Sequence, residues 1–419
     1  MYDLYKTNNA NIYLIKNKKF KTISLSIQFR KEKTKYDSVY LSILKDVLNC
    51  ETNEYKNLKD YHKAKLNIYD PFIEFKIVNS GKNQGFVIDS KFANEKYTEK
   101  GMNKKTIEFI FNTIYNPKTK NKSFDKENFE IAKQNYIEHL KAIKDNPFKY
   151  TSIRLWEEIN VYDFKILTNK EAIEKAKQIT EKTLYEYYET LFTDTSLDIF
   201  IIGDFNNEEI KKTISSIIKG NFKKSKKNTF INHKEVKKEN QIIETSKTNQ
   251  SQLGIGLKFL NLTEFEKKYV SILYTSILGG GWASKLMQKV REEKSLCYFI
   301  GASRSITHGL CFIYASIDAK NYEKVLTLIK KEIESMQQGD FTEKDISRVQ
   351  QVYLNSLLEI EDNQIQLMNS IINIALSDSD SLSERKENIT KISKEDIINI
   401  AKKVKIDTIF FLKGEKQSE

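Results

Sequence analysis

Apolar residues recur along the chain with the periods of strands and helices. Short apolar runs rich in β-branched and aromatic residues predict strands. These predicted strands span 12–15, 24–29, 72–79, 84–90 and 197–202 in the first half, and 251–259, 296–304, 309–317 and 408–412 in the second. Amphipathic helices are predicted between them, at 36–50, 55–66, 264–278 and 283–293. This order predicts an α+β fold, in which helices cover one face of a mostly antiparallel sheet.

The two halves of the chain look like copies of one another. Tyr40-Leu-Ser-Ile-Leu recurs as Tyr269-Val-Ser-Ile-Leu, and the same spacing places Tyr69 on Tyr298 without a gap. Further along, a block that begins at Phe124 aligns with one that begins at Phe341. Two ungapped blocks in the same order predict an internal duplication of a unit of roughly 200 residues.

A lysine-rich segment separates the two halves. Residues 219–238 contain eight lysines and one glutamate, and no amphipathic face runs through them. This composition is typical of an exposed connection. We therefore expect two duplicated α/β-sandwich domains, 1–218 and 246–419, joined by a linker at 219–245.

The composition favours a globular chain with no membrane-spanning segment. The chain has 419 residues, of which 39% are hydrophobic, and this is enough to bury more than one core. Apolar runs are too short to cross a bilayer. The cysteines Cys50, Cys297 and Cys311 form no disulfide framework, and the N-terminus lacks the layout of a signal peptide. We expect a cytoplasmic protein.

The net charge of +12 could indicate a nucleic-acid partner. The charge is dispersed, however, except in the lysine-rich segment, and that segment lacks interleaved aromatic residues or a recognisable RNA-binding module. We expect no nucleic-acid partner.

Residues 279–298 carry the most specific pattern in the chain. Three glycines end one helix, a second amphipathic helix follows, and Arg291 and Tyr298 lie near its exit. This stretch resembles the C-terminal half of the M16 (pitrilysin/insulinase) metallopeptidases, whose pattern runs Gly-Gly, small residues, Leu, Arg-Glu, then Leu-x-Tyr. The resemblance implies that Arg291 and Tyr298 hold the substrate backbone. It also implies an α/β sandwich for each half, in agreement with the duplication.

Active M16 peptidases carry His-x-x-Glu-His on the first helix of the N-terminal half, and this chain does not. Ser42, Lys45 and Asp46 occupy the positions of the two histidines and the glutamate. The motif places two zinc ligands on one helix face, with the glutamate as general base. A lysine at the glutamate position cannot accept a proton while charged, and its charge repels Zn²⁺. Glu138 falls at about the position of the remaining ligand, and alone it cannot hold the metal.

The retained Arg/Tyr pair and the lost metal motif together predict a non-catalytic subunit. Small bacterial M16 enzymes include two-subunit forms, in which one chain bears His-x-x-Glu-His and the other bears the Arg/Tyr pair. The resemblance implies that this chain binds a peptide substrate and needs no cofactor of its own, while a catalytic M16 partner supplies zinc. The alternative is a catalytically inert scaffold or peptide-binding homologue, and a similar-sized partner with the zinc motif would discriminate between the two.

Overall fold

The computed structural model of the protein describes residues 2–7, 10–49, 51–159, 161, 165–236 and 238–415. Its strands are β1 (Asp3–Thr7), β2 (Ala10–Lys16), β3 (Thr22–Glu32), β4 (Phe72–Ser80), β5 (Asn83–Ala93), β6 (Ser196–Gly203), β7 (Asn240–Ser246), β8 (Ser251–Phe259), β9 (Cys297–Ser305), β10 (Leu310–Ile317) and β11 (Val404–Gly414). Each strand predicted from the sequence overlaps one of these, whereas β1 and β7 were not predicted.

The helices are α1 (Asp37–Leu48), α2 (Leu58–Leu66), α3 (Met102–Tyr115), α4 (Lys126–Ala142), α5 (Pro147–Glu158), α6 (Asn169–Gln178), α7 (Glu181–Thr190), α8 (Asn207–Ile217), α9 (Ser271–Gly279), α10 (Tyr322–Gln337), α11 (Glu343–Asp362), α12 (Gln364–Ser377), α13 (Leu382–Thr390) and α14 (Lys394–Lys402). Two further segments are π-helical, Glu266–Val270 and Met287–Glu292. The helix predicted at 264–278 therefore consists of a π-helical turn followed by α9.

Two sheets have the same strand order. The first runs β1-β2-β6-β3-β5-β4, and the second runs β7-β11-β8-β10-β9. Strand β2 lies parallel to β6, and β7 lies parallel to β11, whereas the remaining pairs are antiparallel. Apart from the extra edge strand β1, the topologies match strand for strand. The predicted α+β duplication is confirmed.

The chain forms two compact units, and neither unit is continuous in sequence. Unit 1 contains Met1–Lys141, Asn169–Asn228 and Ile360–Asp378, and unit 2 contains Ala142–Thr168, Thr229–Glu359 and Ser379–Glu419. The helix α5 from the first half thus belongs to unit 2, and α12 from the second half belongs to unit 1. The predicted domains 1–218 and 246–419 are continuous and so differ from these units.

The physical reason for this exchange is that each sheet has apolar side chains on both faces. In unit 1, Phe200 and Ile202 of β6 pack with Ile371 of α12. In unit 2, Leu155 of α5 packs with Phe410 of β11. One covering helix for each sheet therefore comes from the other half of the sequence. Hydrophobic periodicity shows that a helix has an apolar face, but it does not identify the sheet that the face covers.

Two glycines of β8 allow α5 to lie close to its sheet. Helix α5 packs against β8 and β11. A Cβ atom added to Gly256 of β8 would lie 2.7 Å from Ile159 Cδ1, and one added to Gly254 would lie 3.2 Å from a methyl group of Leu155. Glycine at these two positions thus allows the close approach.

The lysine-rich segment is not an extended, fully solvated connection. Phe222 is buried, and Lys223 N donates to Thr195 O at 2.9 Å. Arg30 donates to Ser225 Oγ at 2.7 Å while it forms a buried ion pair with Asp198. These contacts attach the first part of the segment to unit 1.

The end of the predicted linker 219–245 is a strand. Residues 240–245 lie in β7, which pairs in parallel with β11. The predicted start of the second domain at 246 therefore falls at the end of its first strand. This strand lacks an apolar alternation strong enough to reveal it in the sequence, because its residues are mostly exposed or half-buried.

Candidate functional site

The positions that correspond to the metal motif lie on α1, beside α4. Ser42 and Tyr136 are linked by a side-chain hydrogen bond. Burial raises the pKa of Tyr136 to about 12, and the bond to Ser42 partly offsets this rise. Tyr136 is therefore a neutral phenol at physiological pH.

Lys45 and Asp46 form an ion pair at the same place. Lys45 Nζ lies 3.7 Å from Asp46 Oδ1. Burial raises the pKa of Asp46, and the charges of Lys45 and His139 oppose that rise. The site therefore holds an ammonium group where the family resemblance expects a general base.

Glu138 makes its polar contacts within its own helix. Its Oε1 accepts a hydrogen bond from Gln134 Nε2 at 2.7 Å and pairs with Lys141 Nζ at 2.9 Å. Across the described part of the chain, no group of three or more His, Cys, Asp or Glu side chains is placed to hold a metal ion. Cys50 lies outside the described residues.

Arg291 lies at the end of the π-helical segment Met287–Glu292, where the chain turns sharply into β9. Ser295 has a φ of 52°, its N donates to Arg291 O at 2.8 Å, and Leu296 N donates to Val290 O at 3.1 Å. The Arg291 side chain is 48% exposed, and its side-chain polar contacts within the described residues are with the sulfur of Met287 at 3.7 Å and the carboxylate of Glu292 at 3.9 Å. Both contacts are weak, so the guanidinium keeps its donors for another acceptor.

Tyr298 is the extra residue of a β-bulge. Cys297 pairs with Ile317 and Phe299 pairs with Ser316, so Tyr298 has no partner on β10. Bulges re-aim a side chain, and they are common next to active sites. The Tyr298 side chain is 62% exposed, and its hydroxyl donates a long bond of 3.4 Å to Asp318 Oδ1.

The short turn places Arg291 close to the start of β9. Burial raises the pKa of the Cys297 thiol to about 11, and the positive charge of Arg291 lowers it in part. The Arg291 guanidinium is thus close enough to Cys297, the residue before Tyr298, to affect the pKa of its thiol. Among the described residues, Arg291 and Tyr298 form no hydrogen bond with each other, so both can serve a third group. The raised pKa also argues against Cys297 as a nucleophile.

The corresponding tyrosine of the first half is placed differently. Tyr69 lies in the turn between α2 and β4, with a φ of 64°, and its hydroxyl donates to Glu99 at 2.8 Å. The ungapped alignment also puts His62 in the place of Arg291. Among the described residues, the second half therefore presents an Arg/Tyr pair around the start of a strand, and the corresponding positions of the first half do not.

Sequence reasoning missed the bulge and missed Phe299, which is also exposed. Two consecutive aromatic residues at the start of a predicted strand were the available signal, because a regular strand would turn one of them toward the core. The bulge depends on the pairing between β9 and β10. That pairing is not visible in the sequence of β9 alone.

Comparisons with known proteins relate this chain to M16 proteins. The model of the family described as "Peptidase M16 inactive domain" matches residues 178–353. A Bacillus subtilis protein named as a probable inactive metalloprotease is 24% identical over 98% of this chain and 97% of its own length. The resemblance to M16 proteins drawn from the sequence is confirmed.

Solved structures show the same fold. A conserved protein from Enterococcus faecalis matches with a TM-score of 0.92 and 21% identity, and all of both chains is covered. A peptidase M16 inactive domain from Pseudomonas fluorescens matches with a TM-score of 0.77 and 14% identity, also over all of both chains. Of the helices that the structure describes, none has the length and apolar content needed to cross a membrane.

Proposed function

Since this chain is an M16 homologue that matches the family's inactive-domain model, we propose that it is the substrate-binding, non-catalytic subunit of a heterodimeric zinc peptidase. Its partner would be an M16 chain that bears His-x-x-Glu-His, and the substrate would be a peptide. The partner would hold the zinc ion, which polarises a carbonyl and activates water in such enzymes. This chain would contribute Arg291 and Tyr298.

The observation that carries the proposal is the exposed pair of donors at the start of β9. Arg291 ends a helical turn with only weak polar contacts, and the bulge leaves the Tyr298 hydroxyl accessible. A guanidinium offers a rigid fork of N–H donors, and a phenol offers one O–H donor. Peptide carbonyl oxygens are suitable acceptors for both. Near a scissile bond, such donors stabilise the charge that develops on the carbonyl oxygen.

The side chains at the metal-motif positions of α1 support the proposal that the partner, and not this chain, holds the zinc site. Lys45 carries a positive charge beside Asp46, and Ser42 is bonded to a neutral phenol. This arrangement supplies neither a general base nor a favourable set of metal ligands. We propose that the complex works in the cytoplasm, because the two cysteines that the structure describes are buried free thiols.

The test uses the purified chain with a partner of similar size that bears His-x-x-Glu-His and co-purifies with it. Arg291→Ala and Tyr298→Phe should each reduce peptide turnover by the complex by roughly 10²–10³, as removal of one oxyanion donor does. Thermal unfolding and subunit association should stay unchanged, because both side chains are exposed and weakly bonded.

Matched controls separate this effect from general damage to the surface. Tyr69→Phe removes an exposed hydroxyl from the corresponding position of the first half, and Lys344→Ala removes an exposed positive charge from unit 2. Both should retain wild-type turnover. If Arg291→Ala and Tyr298→Phe also cleave peptide at the normal rate, the proposal is wrong, and an inert scaffold becomes the better description.

A further inference from the structure

Strand β9 lies at one edge of the second sheet, with β10 beside it on the other side. From Phe299 to Ser305, every residue of β9 pairs with β10 without a break in register. In an antiparallel pair, alternate residues give both backbone groups to the neighbouring strand, so the residues between them point theirs away from it. Within the described part of the chain, these outward N–H and C=O groups have no hydrogen-bond partner. We call this outer side of residues 299–305 the open edge.

The other sheet edges of the described structure carry charged side chains. Strand β4 contains Glu74 and Lys76, β7 contains Glu244, and β1 contains Asp3 and Lys6. Charges on an edge strand, lysine above all, are a common means of preventing another chain from pairing with it. Strand β9 contains no lysine, carboxylate or proline. Of the edges that the structure describes, β9 is therefore the least protected against the addition of a strand.

The charged residue of β9, Arg304, is turned toward the helices of unit 2. Its guanidinium donates to Ser271 Oγ of α9 at 3.4 Å, and burial lowers its pKa below the usual value. Successive side chains of a strand point to opposite faces, so Ser303 lies on the other face, where it is exposed. The face of β9 that is accessible thus carries no charge that would oppose an added strand.

The β-bulge at Tyr298 limits the open edge at one end. Regular pairing with β10 covers Phe299 but skips Tyr298, and bulges commonly terminate strand pairing. A backbone that follows the open edge therefore leaves it beside Tyr298, whose side chain is 62% exposed. This connects the open edge directly with the donor pair of the proposed function.

We infer that an extended segment of the peptide substrate binds along the open edge as an additional strand of the second sheet. The inference rests on the proposed function, because it places the substrate backbone next to Tyr298. Main-chain hydrogen bonds give the affinity in this mode of binding, so the ligand is an unfolded segment of about seven residues rather than one particular sequence. A helical segment does not fit, since its backbone groups are already bonded to one another.

The first experiment measures peptide binding to the purified chain without a partner subunit. The probe is a short fluorescein-labelled peptide in which valine and lysine alternate, and binding is followed by fluorescence anisotropy. Single N-methyl groups are then introduced at each position of the peptide in turn. In an added strand every second N–H points at β9, so methylation should weaken binding about tenfold at alternate positions and less than about twofold between them. Equal weakening at every position, no weakening at any, or no binding of the parent peptide would overturn the inference.

The second experiment locates the added strand through the charge at position 303. Cross-strand pairs of opposite charge are favourable and like charges are unfavourable. Ser303→Glu should therefore strengthen binding of the lysine-containing probe, and Ser303→Lys should weaken it, each by about two- to fivefold. Thermal unfolding of each variant shows that it has folded.

The matched controls are Thr245→Glu and Thr245→Lys. They make the same changes in charge at an exposed position of β7, the opposite edge of the same sheet, and should leave the affinity unchanged. Equal affinities for Ser303→Glu and Ser303→Lys, or an effect of the same size at Thr245, would place the peptide elsewhere and overturn the inference.

These outcomes are separable from the test of the proposed function. Uniform effects of N-methylation, with turnover still sensitive to Arg291→Ala, would overturn the open-edge inference alone. Conversely, alternating effects that respond to the charge at position 303, with turnover insensitive to Arg291→Ala and Tyr298→Phe, would overturn the proposed function alone.

Discussion

Helix α1 lacks the zinc motif of active M16 peptidases, and the side chains at the motif positions are those of Ser42, Lys45 and Asp46. These side chains change the chemistry of the helix but do not prevent it from forming. Helix α1 still packs in unit 1 against β4, α6 and α7. Its polar positions, however, form contacts with one another and with α4 rather than a set of metal ligands. A positive charge at Lys45 opposes a bound cation by simple Coulomb repulsion. We therefore expect metal analysis of the purified chain to find no stoichiometric zinc.

Titration of His233 makes the free energy of unfolding of unit 2 depend on pH. Its ring nitrogen Nε2 donates to the His308 carbonyl oxygen at 2.9 Å. Burial lowers the pKa of His233 below its usual value, although the bond to His308 partly opposes this. The unfolded state therefore binds more protons, and the free energy of unfolding falls as the pH drops through the unfolded pKa of about 6.5.

The variant His233→Gln keeps a donor for the His308 carbonyl but has no ionisable group. Between pH 7.5 and 5.5 it should lose less stability than the wild type, by at most about 1.4 kcal/mol per pH unit, because one proton is linked. Urea unfolding at several pH values measures the difference. His62→Gln, at an exposed histidine, should keep the wild-type pH dependence, and equal slopes for His233→Gln and wild type would contradict the prediction.

At the scale of elements, the glycines that end α9 determine how this helix meets the sheet. Gly279 is the last residue of α9, and a Cβ atom added to it would lie 2.5 Å from Ala302 Cβ and 2.6 Å from Ala302 N. The sequence indicates only that the glycine run ends a helix, since glycine is common at helix C-termini. The packing adds a second requirement, a close approach of α9 to the backbone of β9.

Gly279→Ala tests this requirement, because helix propensity and packing change the free energy of unfolding in opposite directions. Helix propensity alone would favour alanine by about 1 kcal/mol. Overpacking against Ala302 should outweigh it, with a net loss of about 1–3 kcal/mol of unfolding free energy in urea.

Gly85→Ala is the matched control, since its added Cβ would lie 3.4 Å from Arg30 Cγ, an ordinary contact. It should change stability by less than about 1 kcal/mol, because the strand gains only conformational restriction. A Gly279→Ala variant as stable as wild type would show that β9 yields to the extra methyl group.

At the scale of the whole molecule, the two sequence halves depend on one another for their covering helices. Residues 1–228 contain most of unit 1 but lack the segment Ile360–Asp378, which contains α12. Without that helix, the apolar side chains of β2 and β6 that pack against Met368 and Ile371 would face water. Each such buried side chain contributes about 1.5–3 kcal/mol, a large share of a domain stability of about 5–15 kcal/mol.

We therefore expect a fragment of residues 1–228 to unfold without cooperativity and to bind a hydrophobic dye. The same fragment joined to residues 360–378 by a flexible linker should regain a cooperative urea transition. The full-length chain serves as the positive control. Cooperative unfolding of residues 1–228 alone would show that its sheet is stable without α12.

The amino-acid sequence determined those features that depend on local order. Short apolar runs located β2, β3 and β8, and two ungapped internal matches revealed the duplication that the matching strand orders confirm. The substitution of Lys45 for a general base is visible in the sequence too, because residue type alone excludes the chemistry. The pattern that ends in Arg291 and Tyr298 is likewise recognisable from residue types and their spacing alone.

Only the tertiary structure decided the features that depend on pairing between distant segments. The bulge at Tyr298 exists because β9 pairs with β10 in a shifted register. The exchange of α5 and α12 depends on which sheet face each helix covers, and β7 becomes a strand because β11 lies beside it. The open edge at β9 likewise follows from the order of the strands in the second sheet. Hydrophobic periodicity reports which side of an element is buried, whereas the burying partner is fixed by packing of the complete chain.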